Sequence, residues 1–161
     1  MINKIQWNKL WYFCAIGCGI GIAASRMIPV GTVASLVAIP IWWLLVYFFS
    51  YKVYFLFLVI VIIIGIYCCD KTDKIIGIHD HKSIVWDEFI GMWITLTIVP
   101  VYSWLWVFVA FLVFRILDIV KPWPISWCDR VIKGGLGIVI DDVLAGIISI
   151  YIIICLMTIF S

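Results

Sequence analysis

Residues 53–67 read VYFLFLVIVIIIGIY, without a charged side chain or a proline. A strand of a membrane barrel shows short segments of alternating hydrophobicity, and this run does not alternate. A continuous apolar stretch of this kind is a helix in hydrocarbon. The rest of the chain agrees. It has 161 residues, 66% of them hydrophobic and 12% charged, with a mean hydropathy of +1.24. The charged share is about half that of a soluble protein. The net charge of +2 comes with no basic tract, so no nucleic-acid surface is expected.

Working outward from this run gives the organisation. It extends to Val53–Cys69, and Ser50–Lys52 connects it to an earlier helix over Leu36–Phe49, so the two form a membrane hairpin. Pro40 kinks that earlier helix or sits in its opening turn. A polar segment, Asp70–Lys82, follows, and then a helix over Ser83–Val99 that reverses at Pro100. The next helix covers Trp104–Val120. A second polar segment, Lys121–Ile140, leads to a final helix opened by Asp141 and Asp142 and reaching Phe160. The expected fold is all-α: one integral membrane domain over residues 1–161 with about five membrane helices. Leu10–Ala24, with Gly17, Gly19 and Gly21, is an additional apolar element. Close-packed helix, interfacial segment and re-entrant hairpin all fit it. Lys4 and Lys9 before it imitate a signal peptide, but the spans that follow favour an uncleaved element.

This alternation puts Lys4, Lys9, Arg26, Lys71, Lys74, Lys82, Lys121, Arg130 and Lys133 on one side, and Lys52 on the other. The positive-inside rule assigns the charged side to the cytoplasm. All nine acidic residues lie between Asp70 and Asp142, several at the edges of apolar helices. A carboxylate at that boundary is costly unless hydrated, paired or bound to a cation. The six cysteines form no CxxC pair and read as buried free thiols.

Three clusters carry candidate chemistry. Asp87 and Glu88 are about 100° apart on a helix, with Gly91 leaving space beside Asp87. They are a cap or a metal or catalytic pair. Arg115 and Asp118 are i,i+3 neighbours. They form an embedded ion pair, or Asp118 binds a cation while Arg115 holds a phosphate through two hydrogen bonds. Lys121 then aids the substrate or snorkels to headgroups. Asp141 and Asp142 follow the stretch Gly134-Gly135-Leu136-Gly137, which lacks the GK[ST] ending of a P-loop. They cap the last helix or ligate metal. His79 and His81 are structural or proton-transferring. Oxygen ligands favour a hard ion such as Mg²⁺, and phosphate-ester hydrolysis gives such an ion a task.

Three segments, IVWDEFIGMW at Ile84–Trp93, FRILDIVKPWPI at Phe114–Ile125 and GGLGIVIDDVLAG at Gly134–Gly146, resemble the phosphatidylglycerophosphatase A family. That resemblance implies a helical membrane enzyme of the bacterial cytoplasmic membrane, dependent on Mg²⁺; the charge asymmetry above puts its site on the cytoplasmic face. It implies hydrolysis of the lipid phosphatidylglycerophosphate to phosphatidylglycerol and phosphate. By motif, Asp87, Glu88, Arg115 and Asp118 are the expected catalytic residues. Asp87, Glu88, Asp118, Asp141 and Asp142 supply the expected metal ligands. Thr32, His81, Lys121 and Asp129 are expected at the substrate, although Asp129 also suits a metal, a pair with Arg130 or loop organisation. The amino-terminal match departs from the family at Met27 and over Val30-Gly31-Thr32-Val33-Ala34, while Thr32, Ser35 and Leu36 remain recognisable. The nucleophile is a water or a carboxylate. Two other readings fit the acids: hydrolysis of another lipid phosphomonoester such as phosphatidate, and cation transport.

Overall fold

The structure, a computed structural model, describes Cys14 and residues 29–76, 81 and 83–160. Among the described residues after 29, six helices follow one another: α1 (Val30–Phe48), α2 (Tyr51–Ile76), α3 (Trp86–Leu96), α4 (Trp104–Val120), α5 (Ile125–Val131) and α6 (Gly134–Ile159). The element expected over Leu10–Ala24 lies outside the described residues apart from Cys14, and so do His79 and the basic residues before Pro29. The protein is an all-α, multi-pass membrane protein. Helices α1, α2 and α6 are long and apolar enough to cross a bilayer. Helices α3 and α4, at 11 and 17 residues, are shorter.

The run that opened the sequence is the middle of α2. Its β-branched residues favour strands in water, but a segment in lipid must satisfy its own backbone hydrogen bonds, and a helix does so. Tyr54, Leu58, Val61, Gly65, Cys68 and Thr72 recur every three or four residues and are buried. Phe55, Leu56, Val59, Ile63 and Tyr67 on the opposite face are exposed. In a water-soluble protein this would be an aggregation surface; on a membrane protein it is the lipid face.

Helix α3 stands at the centre. All its residues from Phe89 to Leu96 are buried, against α1, α2, α4 and α6. Polar side chains fix it to two neighbours. The Trp93 indole donates to the Ala38 carbonyl of α1 at 3.0 Å, and the Tyr54 hydroxyl of α2 donates to the Trp93 carbonyl at 2.7 Å. Glycines let the backbones approach further. A Cβ on Gly91 would lie 2.5 Å from the buried Phe114 ring and 2.9 Å from the Asp142 carbonyl oxygen. Gly146 of α6 in turn faces the Gly91 carbonyl. We expect Gly91→Ala to lower stability by about 1–2 kcal/mol. Overpacking costs roughly 1–3 kcal/mol and exceeds the roughly 1 kcal/mol that alanine adds in helix propensity. Thermal unfolding in detergent measures this, and an unchanged midpoint would show that α3 and α6 can separate at no cost.

Four helices have bounds that differ from the sequence reading. α1 begins at Val30 rather than Leu36, so Pro40 lies inside it. α2 continues past Cys69 to Ile76, which makes Asp70 and Asp73 helical rather than loop residues. The Lys74 ammonium reaches back one turn to Asp70 at 2.6 Å and supports that extension. α3 starts at Trp86, not Ser83, and ends at Leu96. The largest correction concerns the last helix. It starts at Gly134, so Asp141 and Asp142 do not open it; they lie about two turns inside. Glycine weakens a helix by roughly 1 kcal/mol per residue. Here packing overrides propensity: a Cβ on Gly135 would lie 2.5 Å from the Asp70 nitrogen, so its absence lets α6 press against the backbone of α2.

Candidate active site

Three helices bring acidic groups to one point. Asp87 and Glu88 occupy the first turn of α3, where their charge suits the helix dipole. Neither is a simple cap, because the N-cap position is Val85 and no side chain caps it. Asp142 projects from α6. Carboxylate oxygens of these three residues lie within 4.8 Å of one another. Asp87 and Asp142 are buried and Glu88 is half-buried. Such negative charges repel by about 4 kcal/mol per pair at an effective dielectric near 20. Asp87 Oδ1, Glu88 Oε2 and Asp142 Oδ2 are also buried with no hydrogen-bond donor among the described residues. A cation among them would satisfy all three oxygens and remove the repulsion. An all-oxygen donor set suits a hard divalent ion.

A cationic wall borders this triad. Arg115 of α4 is buried and pairs with Asp118 Oδ2 one turn later at 2.5 Å. Asp118 in turn lies within hydrogen-bond reach of Asp142. Arg115 Nη1 donates to Ser35 Oγ at 3.4 Å, and that hydroxyl donates to the Gly31 carbonyl at 2.8 Å. Gly31 makes room for the junction. A Cβ there would collide with Glu88 Oε1 and lie 2.9 and 3.0 Å from the Arg115 Nη atoms. Arg115 Nε is buried and has no acceptor among the described residues. Among those residues the site thus holds three oxygens that lack a donor and one N–H that lacks an acceptor.

Lys121 builds a second cluster. It follows α4, and its Nζ donates to Asp129 Oδ1 of α5 at 2.6 Å and to Asp141 Oδ2 of α6 at 2.5 Å. Burial disfavours its charge, but the hydrogen bonds and charges of the two aspartates outweigh that, and its pKa is raised. The ten expected site residues therefore divide. Asp87, Glu88, Asp142, Arg115 and Asp118 meet in one cluster, and Lys121, Asp129 and Asp141 in the other. Asp141 and Asp142 point to different clusters because successive helical residues diverge by about 100°. His81 Nδ1 accepts the Ser83 backbone N–H at 3.2 Å in the approach to α3. Thr32 lies in the first turn of α1, its backbone N–H bonded to the Pro29 carbonyl at 3.0 Å. The site residues missed from sequence are Gly31 and Ser35, on either side of Thr32. Their spacing of four was the available signal, since it places them on one helical face.

The chain matches the family model described as Phosphatidylglycerophosphatase A over residues 13–157. It is 50% identical over 147 residues to the Escherichia coli (strain K12) phosphatidylglycerophosphatase A, covering 91% of this chain and 83% of that one. It is 38% identical over 152 residues to the Haemophilus influenzae protein of the same name, covering 94% of this chain and 91% of the relative. No solved structure matches it.

Proposed function

This chain belongs to the phosphatidylglycerophosphatase A family, and from that premise we propose that it hydrolyses the terminal phosphomonoester of phosphatidylglycerophosphate, releasing phosphatidylglycerol and inorganic phosphate. The observation that carries the reading is the set of unsatisfied groups in one cluster. Three carboxylate oxygens call for a cation, and Arg115 Nε calls for an anionic acceptor. A phosphate bound beside a divalent ion answers both.

Asp87, Glu88 and Asp142 would hold Mg²⁺, with Asp118 next to them. Mg²⁺ bound there would supply charge neutralisation for the phosphate oxygens and lower the pKa of water. Arg115 orients the phosphate, since a guanidinium offers parallel N–H donors in a fixed plane. Asp118 and Ser35 hold that plane in place. Water supplies the incoming oxygen, the bond from phosphorus to the glycerol oxygen breaks, and that oxygen leaves with a proton. Thr32 and His81 are assigned to the headgroup side, at the entrance to α1 and ahead of α3. Lys121 and Asp129 flank the phosphate from the second cluster.

The acyl chains stay in lipid while the headgroup enters from the cytoplasm. We take α3 and α4 as membrane elements as well, which makes five, in the bacterial inner membrane. Support for the orientation comes from Lys71, Lys74, Arg130 and Lys133, which lie at the same helix ends as the carboxylates, whereas Lys52 begins α2 at its other end. Cation transport is the weaker reading, because the acids group at one end rather than along a path.

The test is phosphate release by the purified protein in detergent micelles, with phosphatidylglycerophosphate and phosphatidate compared. Chelation of divalent ions is expected to abolish turnover and added Mg²⁺ to restore it. Full turnover in chelator, or a preference for phosphatidate, would overturn the metal or the substrate assignment respectively. Gly31→Ala is expected to lower turnover about tenfold or more, by pushing Arg115 and Glu88 apart; small misplacements at reacting groups cost up to about 100-fold. Unchanged kinetics in that variant would show that the close approach at α1 does not position them.

A further inference from the structure

Lys121 is the only non-glycine residue with positive φ among the described residues. It ends α4 at φ 45° and ψ 59°. Holding an L-residue there costs of order 1–3 kcal/mol. Its pair with Asp129, 26% and 39% exposed, contributes about 0–1 kcal/mol. In the second pair Asp141 is 7% exposed, so desolvation works against the Coulomb gain, and stability alone is a poor account of the conformation. What the conformation achieves is placement: the ammonium is set between Asp129 of α5 and Asp141 of α6.

Two carboxylates from different helices around one cation is also how Mg²⁺ is commonly held, with waters and substrate phosphate completing its shell. Sites for phosphoryl transfer often use two cations, one to each side of the reacting phosphate. Here Asp141 is the chain neighbour of Asp142, so the Lys121 cluster borders the triad. Among the described residues, one group alone brings three ligand side chains together, Asp87, Glu88 and Asp142. We propose that the protein binds one divalent cation per chain, at this triad, and that the Lys121 ammonium is a built-in cation at the second position, between Asp129 and Asp141. The proposal rests on the reading that the triad holds a divalent ion. An ammonium has three N–H donors. Two go to the aspartates, which leaves one for a phosphate oxygen.

The experiment counts Mn²⁺ bound to the purified protein in detergent, by equilibrium dialysis with metal analysis and by the spin-resonance signal of the free ion. The wild type is expected to bind one ion. Lys121→Met removes the charge at similar length and is expected to bind two, and the extra ion is expected to be lost again when Asp129→Asn is added. Lys121→Arg keeps a cation and is expected to bind one. Two ions in the wild type, or one in folded Lys121→Met, would overturn the proposal. If Lys121→Met does not fold, the wild type and Lys121→Arg decide: one ion in each supports the proposal and two in either overturns it. No ion in the wild type sinks the triad reading itself, and the proposal with it.

Discussion

Asp142→Asn is expected to reduce phosphate release about a thousandfold or more while leaving the ion-free protein as stable as before, or more stable. Asn keeps the shape of the side chain and one carbonyl oxygen, so packing of α6 against α3 is preserved. It removes one of three negative charges that meet within 4.8 Å. With the cation present that charge is a ligand. A loss of roughly 4 kcal/mol in transition-state stabilisation corresponds to the thousandfold at 1.36 kcal/mol per decade. In chelator the same carboxylate is crowded by two others in a buried site, and ionising it there carries a cost that Asn avoids. Activity and ion-free stability therefore move in opposite directions, the trade expected where a site is built for function. Phosphate release and thermal unfolding, each with and without Mg²⁺, measure both halves. A wild-type rate would remove Asp142 from the site. A large loss of stability in chelator would mean that its carboxylate is structural.

Arg115→Lys is the second large effect, an expected fall of about 100- to 1000-fold in turnover, the range for removing one preorganised donor. The substitution keeps the positive charge and so separates charge from geometry. Lysine is a point charge on a flexible stem and cannot reproduce the planar fork that Asp118, Ser35 and the unsatisfied Nε share. Alanine is the poorer test, because it leaves the half-buried Asp118 without its partner, a loss of up to about 3–5 kcal/mol that risks the fold. Inhibition by inorganic phosphate is expected to weaken about tenfold in Arg115→Lys, since the same donors hold the product. Full turnover with unchanged phosphate inhibition would show that charge alone suffices and that Arg115 does not grip the substrate.

Much of the fold could be read from local signals. The bounds of α4 coincide with the expected Trp104–Val120, because Pro100 and Ser103 precede it and Lys121-Pro122 stops it. The start of α6 could not be read in this way. Gly134, Gly135 and Gly137 look like a break in a single sequence; only the proximity of α2 shows that their missing side chains allow contact. The residue types of the site were legible, since acids at helix edges in so apolar a chain need a reason. Their division into a triad and a lysine-bridged pair was not. It depends on how α6 is rotated about its axis, which packing sets. Gly31 was not read as a site residue for a related reason: it contributes an absence, and an absence matters only once Glu88 and Arg115 are seen to fill it.

The central helix α3 is short, about 17 Å at 1.5 Å per residue, against a hydrocarbon core of about 30 Å. Its residues from Phe89 to Leu96 are buried in protein. Hydrophobic mismatch acts on segments that face lipid, and here it falls on α1, α2, α4 and α6, which expose apolar side chains and can tilt to absorb it. The helix that carries Asp87 and Glu88 is insulated from that adjustment. Asp87 and Glu88 are therefore held by the protein interior, while Asp142 on α6 keeps its place beside them through the close packing of α6 on α3.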